Sequence, residues 1–119
     1  MATPAFATAL TGREEVQITV IGRTTGRKIT HPVWFVEDGD ALYLVPVKGS
    51  DSAWFKNVLV NPTITLTADG VTWTAEAIPV PDPATIDKVV EKLRAKYGAG
   101  QVKKYYSKLD VAVKVLLRG

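Results

Sequence analysis

Cysteine is absent from this chain of 119 residues. That excludes disulfides, thiolate nucleophiles and sulfur-ligated metals. Histidine occurs once, at His31, and no acidic pair at ligand spacing accompanies it, so no metal site is expected. A G-x-S-x-G elbow and a clear pair of catalytic carboxylates are also missing. Hydrolysis by a side-chain nucleophile is therefore set aside, and any redox or transfer reaction would fall to a cofactor. No segment reaches the roughly 20 apolar residues of a membrane helix. The opening "MATPAFATAL" lacks a basic stretch and a long apolar run, so it does not read as a secretory signal. A cytoplasmic protein is expected.

The length suits one domain, residues 1–119, with residues 1–10 read as a flexible N-terminal arm. The net charge of +3 is unevenly placed: nine Lys or Arg residues lie between Lys88 and Arg118, against Glu91 and Asp110. Such a face attracts anions, and its plain alternative is a solvated helix surface. No nucleic-acid motif accompanies it, so no nucleic-acid partner is expected and membrane contact is at most peripheral.

Strands dominate the pattern. Val16, Ile18 and Val20 alternate with polar neighbours between Arg13 and Arg23. "ITHPVWFVE", "ALYLVPV", "TITLTA" and "VTWTAEAIPV" read as four more, with Asp38-Gly39 and Asp69-Gly70 as hairpin signals. Pro46 marks an edge or a strand end. Ser50 or Asp51 is positioned to cap a short helix that Asn61-Pro62 ends. A longer helix starts at Asp82 and Pro83, carries Ile86, Val89, Val90, Leu93 and Tyr97 on one face, and stops at Gly98. "QVKKYYSK" reads as another helical turn or two, and "DVAVKVLLR" as a last strand. Six strands with inserted helices in so short a chain predict a mainly β fold with helices, a small and partly closed antiparallel barrel.

Two cationic stretches stand out. In "GRTTGRK", Arg23, Arg27 and Lys28 surround Thr24-Thr25-Gly26, a segment with turn chemistry and several donors. In "VKGSDSAWFKN", Lys48 precedes Gly49, with the hydroxyls of Ser50 and Ser52 beside a helix start that favours an anion. Each also reads as an ordinary solvated loop. Trp34 and Phe35 point to opposite faces of their strand, so at most one lines a given pocket. Trp54 and Asn57 share a helix face. Tyr105 and Tyr106 are placed to close one side of a pocket, or to pack a helix. His31 is either a polar group of that pocket or a half-buried histidine bonded to backbone.

These motifs in combination resemble the deazaflavin-dependent nitroreductase family. The family shows a GR-x-[ST]-G loop, a proline-led apolar strand, a Lys-Gly segment and a W-[YF]-x-N-[LV]-x-x-N-P helix. Gly22, Arg23, Thr25, Gly26, Pro32, Lys48, Trp54, Phe55, Asn57, Asn61 and Pro62 fall in register with it. Where members often carry an arginine three residues after the loop glycine, this chain has Ile29. The resemblance implies a split β-barrel like that of FMN-binding flavin reductases and pyridoxamine phosphate oxidases. It also implies coenzyme F420 as the cofactor, with FMN as the alternative. Lys48 and the backbone after it, at Gly49 and Ser50, would hold its phosphate, with Val47 a further cofactor-binding residue, and the Arg23–Lys28 loop would meet its acidic tail or phosphate. Pro32, Val33 and Trp34, with Trp54 and Asn57, would meet the ring.

The expected activity is hydride transfer from reduced F420 to a small electron-poor acceptor: a quinone, a nitroaromatic or an activated enone. Ser50, Ser52, Tyr105, Tyr106 and His31 are the candidate hydrogen-bond or proton donors. A non-catalytic module that stores a cofactor or a fatty acid is the rival from another class. A homodimer is compatible with so small a barrel.

Overall fold

The computed structural model describes residues 4–117. Its strands are β1 (Glu15–Ile21), β2 (Lys28–Asp38), β3 (Ala41–Leu44), β4 (Thr63–Ala68), β5 (Val71–Val80) and β6 (Ala112–Leu116). Its helices are α1 (Pro4–Leu10), α2 (Ala53–Val60), α3 (Pro83–Tyr97) and α4 (Ala99–Tyr105).

Alternation sets the inward faces. Val16, Ile18 and Val20 of β1 are buried, as are Ile64 and Leu66 of β4. The β4–β5 hairpin closes on Asp69-Gly70, both at positive φ (49° and 77°), which is the type I′ geometry that matches strand twist. All neighbouring strands pair antiparallel, in the ring order β1-β2-β3-β6-β5-β4. The partly closed barrel expected from the sequence is thus a closed one.

Two long strands make closure work. β2 pairs with β1 from Lys28 to Trp34 but with β3 only from Phe35 to Asp38. β5 pairs with β4 from Val71 to Glu76 and with β6 from Ala77 to Val80. The first half of β2 therefore has an open edge. Pro32 sits there, where a missing N–H costs no ladder bond.

The core has two parts. The barrel interior holds Val16, Ile18, Phe35, Leu42, Leu44, Ile64, Leu66 and Val113, together with Trp54, Phe55 and Val58 from α2. A second layer forms where Ile86, Val89, Val90 and Leu93 of α3 and Val102 of α4 cover Val36, Tyr43 and Val45. Asp82 caps α3 by accepting the Thr85 N–H at 3.0 Å, and Pro83 follows in the first turn.

Two local expectations are corrected. Residues 4–10 are not a flexible arm but α1, with Phe6 and Leu10 in the barrel core; residues 1–3 lie outside the described residues. Burial of the Phe6 side chain holds the segment down. The cap of α2 is Ser52 rather than Ser50 or Asp51, because Gly49–Asp51 forms a 3-10 turn of its own. The Ser52 hydroxyl accepts the Lys48 N–H at 3.0 Å and so ties turn to helix. No described helix is long and apolar enough to cross a membrane.

Candidate functional site

Where β2 and β3 part, a cleft of about 560 Å³ opens. His31, Pro32, Val33 and Trp34 form its β2 side, and Val45 and Val47, just beyond β3, face them. Trp54 of α2 and the pair Tyr105–Tyr106 at the end of α4 line it as well, with Glu15 at the start of β1. Most of this wall is apolar, and Glu15 is its one carboxylate. Tertiary structure thus gathers eight of the residues singled out in the sequence: His31, Pro32, Val33, Trp34, Val47, Trp54, Tyr105 and Tyr106.

Trp34 is held in a fixed pose. Its ring stacks on Tyr97 with centroids 4.1 Å apart and planes within 5°. Tyr105 meets it edge-on at 5.7 Å and Tyr106 tilted at 5.9 Å. The Tyr97 hydroxyl accepts the Phe35 N–H at 3.1 Å and lies 2.5 Å from the Glu14 carbonyl and 3.0 Å from that of Phe35. Burial pushes the Tyr97 phenol up to about 12 and raises that of Tyr106 further, the nearby Tyr97 adding to the latter. Tyr106 therefore stays protonated and available as a donor. Tyr105, more than half exposed, stands at the rim.

The opening loop has a structural anchor. The Gly22 N–H donates to the Arg27 carbonyl and the Gly26 N–H to that of Gly22, closing a tight turn. Arg23 leans on α2: its guanidinium donates to Asn57 Oδ1 at 2.8 Å and to the Ala53 carbonyl at 3.3 Å, and its N–H also reaches Asn57 Oδ1 at 3.1 Å. This satisfies the buried amide oxygen of Asn57. Arg23 and Asn57 are thus joined to each other, and neither lines the cleft. Thr24, Thr25, Gly26, Arg27 and Lys28 are exposed outside it, with Thr25 Oγ1 accepting the Arg27 N–H.

The lysine turn differs more from expectation. Ser50 gives its N–H to Asp110 Oδ1 at 3.0 Å and its hydroxyl to Asp110 Oδ2 at 2.6 Å. The Ser50 hydroxyl in turn holds the Asp110 carboxyl below the usual carboxylate range. Gly49, at φ 55°, leaves no room for a side chain: a Cβ would lie 2.0 Å from Asp110 Oδ1. Lys108 stands 3.3 Å from Asp51 and 3.6 Å from Asp110, and Ser107 donates to the Val47 carbonyl. The donors expected to face a ligand phosphate are therefore occupied by the chain's own carboxylate, 60 residues on. Lys48 is exposed and does not line the cleft, and Ser52 is buried.

His31 is half-buried, and its Nε2 is shut off from solvent with no hydrogen-bond partner among the described residues. The backbone bond anticipated for it does not reach that nitrogen. Sequence reasoning missed Glu15, Val45 and Asp110. Asp110 had a signal, as one of two acids in a basic tail; Glu15 and Val45 had none, since only the divergence of β2 from β3 exposes them to a common space.

Comparison with known proteins follows this geometry. A family model described as "Uncharacterized protein conserved in bacteria (DUF2255)" matches residues 7–115. No curated protein matches the chain. Among solved structures, an F420-H2 dependent reductase, FDR-A, aligns at 21% identity and a TM-score of 0.67, over 87% of this chain and 94% of that one. HutZ, the heme storage protein of Vibrio cholerae, aligns at 16% and 0.69, over 98% and 89%. A pyridoxamine 5′-phosphate oxidase-like protein of Listeria innocua aligns at 15% and 0.68, over 94% and 90%. These similarities are of fold: a six-stranded split barrel that occurs with more than one ligand.

Proposed function

We propose that this chain, which belongs to the bacterial family DUF2255, is an oxidoreductase whose cleft receives a planar redox cofactor, reduced coenzyme F420, beside an electron-poor acceptor. One observation carries the reading: the cleft at the β2–β3 split has a fixed aromatic wall and a size, about 560 Å³, within the range that holds small organic ligands. The sequence resemblance and the fold shared with FDR-A support the choice of cofactor.

The residues fit such a group in part. Pro32, Val33, Trp34, Val47 and Trp54 offer an apolar bed for a tricyclic ring. The 3-10 turn does not fit a phosphate while Asp110 occupies it, since two anions at hydrogen-bond distance repel. The phosphate and acidic tail are accordingly assigned to the exposed cations Arg27, Lys28 and Lys48.

Bound in reduced form, F420 supplies a hydride to a quinone, nitroaromatic or activated enone. The protein's own part is placement. Tyr97 fixes Trp34, and Trp34 with Tyr106 excludes water from one side of the cleft. The protonated Tyr106 hydroxyl and the rim hydroxyl of Tyr105 are donors that support negative charge developing on an acceptor oxygen. Leu59 and Val60 leave apolar surface on α2 that a second copy would cover, so a homodimer remains part of this reading, to be checked by gel filtration.

The test is a side-by-side titration with F420, FMN and haem, followed by oxidation of reduced F420 with menadione as acceptor. F420 should bind tightest and turn over, and Lys48→Ala should weaken it by about tenfold, the loss of one charge-assisted contact. A yellow protein with a flavin spectrum as purified would sink the F420 assignment. Tight binding of any of the three without turnover would favour the storage module.

A further inference from the structure

Single apolar side chains on a protein surface are ordinary, but apolar side chains gathered at the mouth of a cavity mark a contact surface. Among the described residues five large hydrophobic side chains are exposed, and two of them, Val47 (45%) and Tyr105 (53%), line the cleft. Pro32, exposed on the open edge of β2, is a third apolar group of the same mouth.

Cations stand directly beside these groups. Lys48 follows Val47 and is exposed. Lys104 precedes Tyr105, and its Nζ lies 5.3 Å from the centre of that ring. Val102 within α4 and Tyr106 at its end are buried, which turns Lys103 and Lys104 outward. Lys48, Lys103 and Lys104 enter no ion pair among the described residues. The nearby acids are answered from within: Lys108, joined to Lys48 by an isolated parallel bridge, stands against Asp51 and Asp110. Glu15 is the one carboxylate that lines the cleft. The mouth is thus apolar at its centre, where no Lys or Arg lines it, and positive along its rim.

That arrangement is complementary to one kind of partner. A bilayer containing anionic lipids presents negative headgroups over an apolar interior, so cations meet the headgroups while apolar side chains enter the interface. Tyrosine is favoured at that depth. A nucleic acid would need cations through the centre of the surface to follow its phosphates, and the centre has none. We propose that the mouth of the cleft is a peripheral docking surface for an anionic phospholipid bilayer, seated through Val47 and Tyr105 and held by Lys48, Lys103 and Lys104. Docked this way, the cleft opens toward the lipid, and an apolar ligand passes from bilayer to cleft without crossing water. Docking of this kind needs no cofactor in the cleft, so it stands or falls apart from the F420 reading.

Co-sedimentation of the full chain with vesicles tests it, using phosphatidylcholine alone and equal parts phosphatidylcholine and phosphatidylglycerol. The mixed vesicles should bind about a hundredfold more tightly, about fivefold for each of the three lysines. Lys48→Gln with Lys104→Gln should weaken that binding about 25-fold. Lys88→Gln with Lys92→Gln removes the same charge from α3, where Lys92 lines a separate groove with Glu14 and Glu37, and should weaken it less than about threefold. Tyr105→Ser should weaken it several-fold at every salt concentration, because the ring contributes apolar area and no charge. Vesicles with brominated acyl chains should quench the emission of the bound parent protein, since Trp34 and Trp54 line the cleft; that readout needs no variant. Equal binding to both vesicle types, an equal loss from the α3 pair, or bound protein whose emission is not quenched would each overturn the docking surface. Displacement from the vesicles by a single-stranded oligonucleotide at equal phosphate concentration would overturn it too, and would give these cations to nucleic acid.

Discussion

Replacing Tyr97 by phenylalanine removes one oxygen from the junction of three elements. That hydroxyl, at the end of α3, accepts the Phe35 N–H and donates toward the Glu14 and Phe35 carbonyls. The Phe35 carbonyl keeps a second donor in Lys96 Nζ at 2.9 Å, while its N–H loses the phenolic acceptor, and Phe35 is 1% exposed. An orphaned buried N–H costs about 1–3 kcal/mol, and the lost O–H bond about 1 kcal/mol more. Stacking on Trp34 survives, so the whole loss falls on the hydrogen bonds, and about 2–4 kcal/mol is expected. For a domain of this size that lowers the Tm by roughly 10 °C. Urea unfolding followed by tryptophan fluorescence measures it at pH 7.

The same hydroxyl carries a pH signature. Burial raises its pKa from an ordinary value near 10 to about 12. The native state therefore holds this proton more firmly than the unfolded chain does. The advantage is whole below pH 10 and disappears as pH climbs through 12. The stability gap between parent and Tyr97→Phe should narrow across that window. A gap below about 0.5 kcal/mol at neutral pH, within the scatter of surface substitutions, would refute the bridging role. A gap that stays constant from pH 10 to 12 would refute the titration.

Other outcomes follow from packing and backbone geometry. Phe6→Ala should destabilise by about 3–4 kcal/mol, because Phe6 is fully buried in the barrel core; a loose N-terminal arm would show almost none of this in urea. Gly49→Ala should cost about 2 kcal/mol or more, combining a positive φ with a Cβ 2.0 Å from Asp110 Oδ1. Gly26→Ala, at φ 72° in open space, should cost only about 1 kcal/mol by the same assay. If the two glycine variants proved equal, the Asp110 contact would not restrict that turn.

How much of this was legible varies with distance along the chain. The strand of Val16, Ile18 and Val20, the Asp69-Gly70 hairpin and the helix from Asp82 to Gly98 are written in patterns a few residues long. Alternation, turn residues and caps act on neighbours, so they survive removal from context. Trp34 and Phe35 were correctly separated onto two faces, because a strand's pleat alone decides it. Tyr97 was placed on the packed face of its helix by the same kind of rule. The N-terminal segment misled, since "PAFATAL" is short and marginal as a helix by itself. Its order comes from a cavity in the barrel that Phe6 fills.

Composition and local pattern were enough to specify a small antiparallel barrel with an aromatic, cation-flanked strand, since backbone propensity and hydrophobic alternation need no distant partner. Which groups are free to meet a ligand was settled by folding alone. Asp110 reaches Ser50 across 60 positions and Arg23 reaches Asn57 across 34. Each such meeting removes donors that the sequence shows as available, while His31 Nε2 ends buried with no hydrogen-bond partner among the described residues. Closing the ring of strands fixes these long-range neighbours all at once, and the order of residues along the chain does not spell out who they will be.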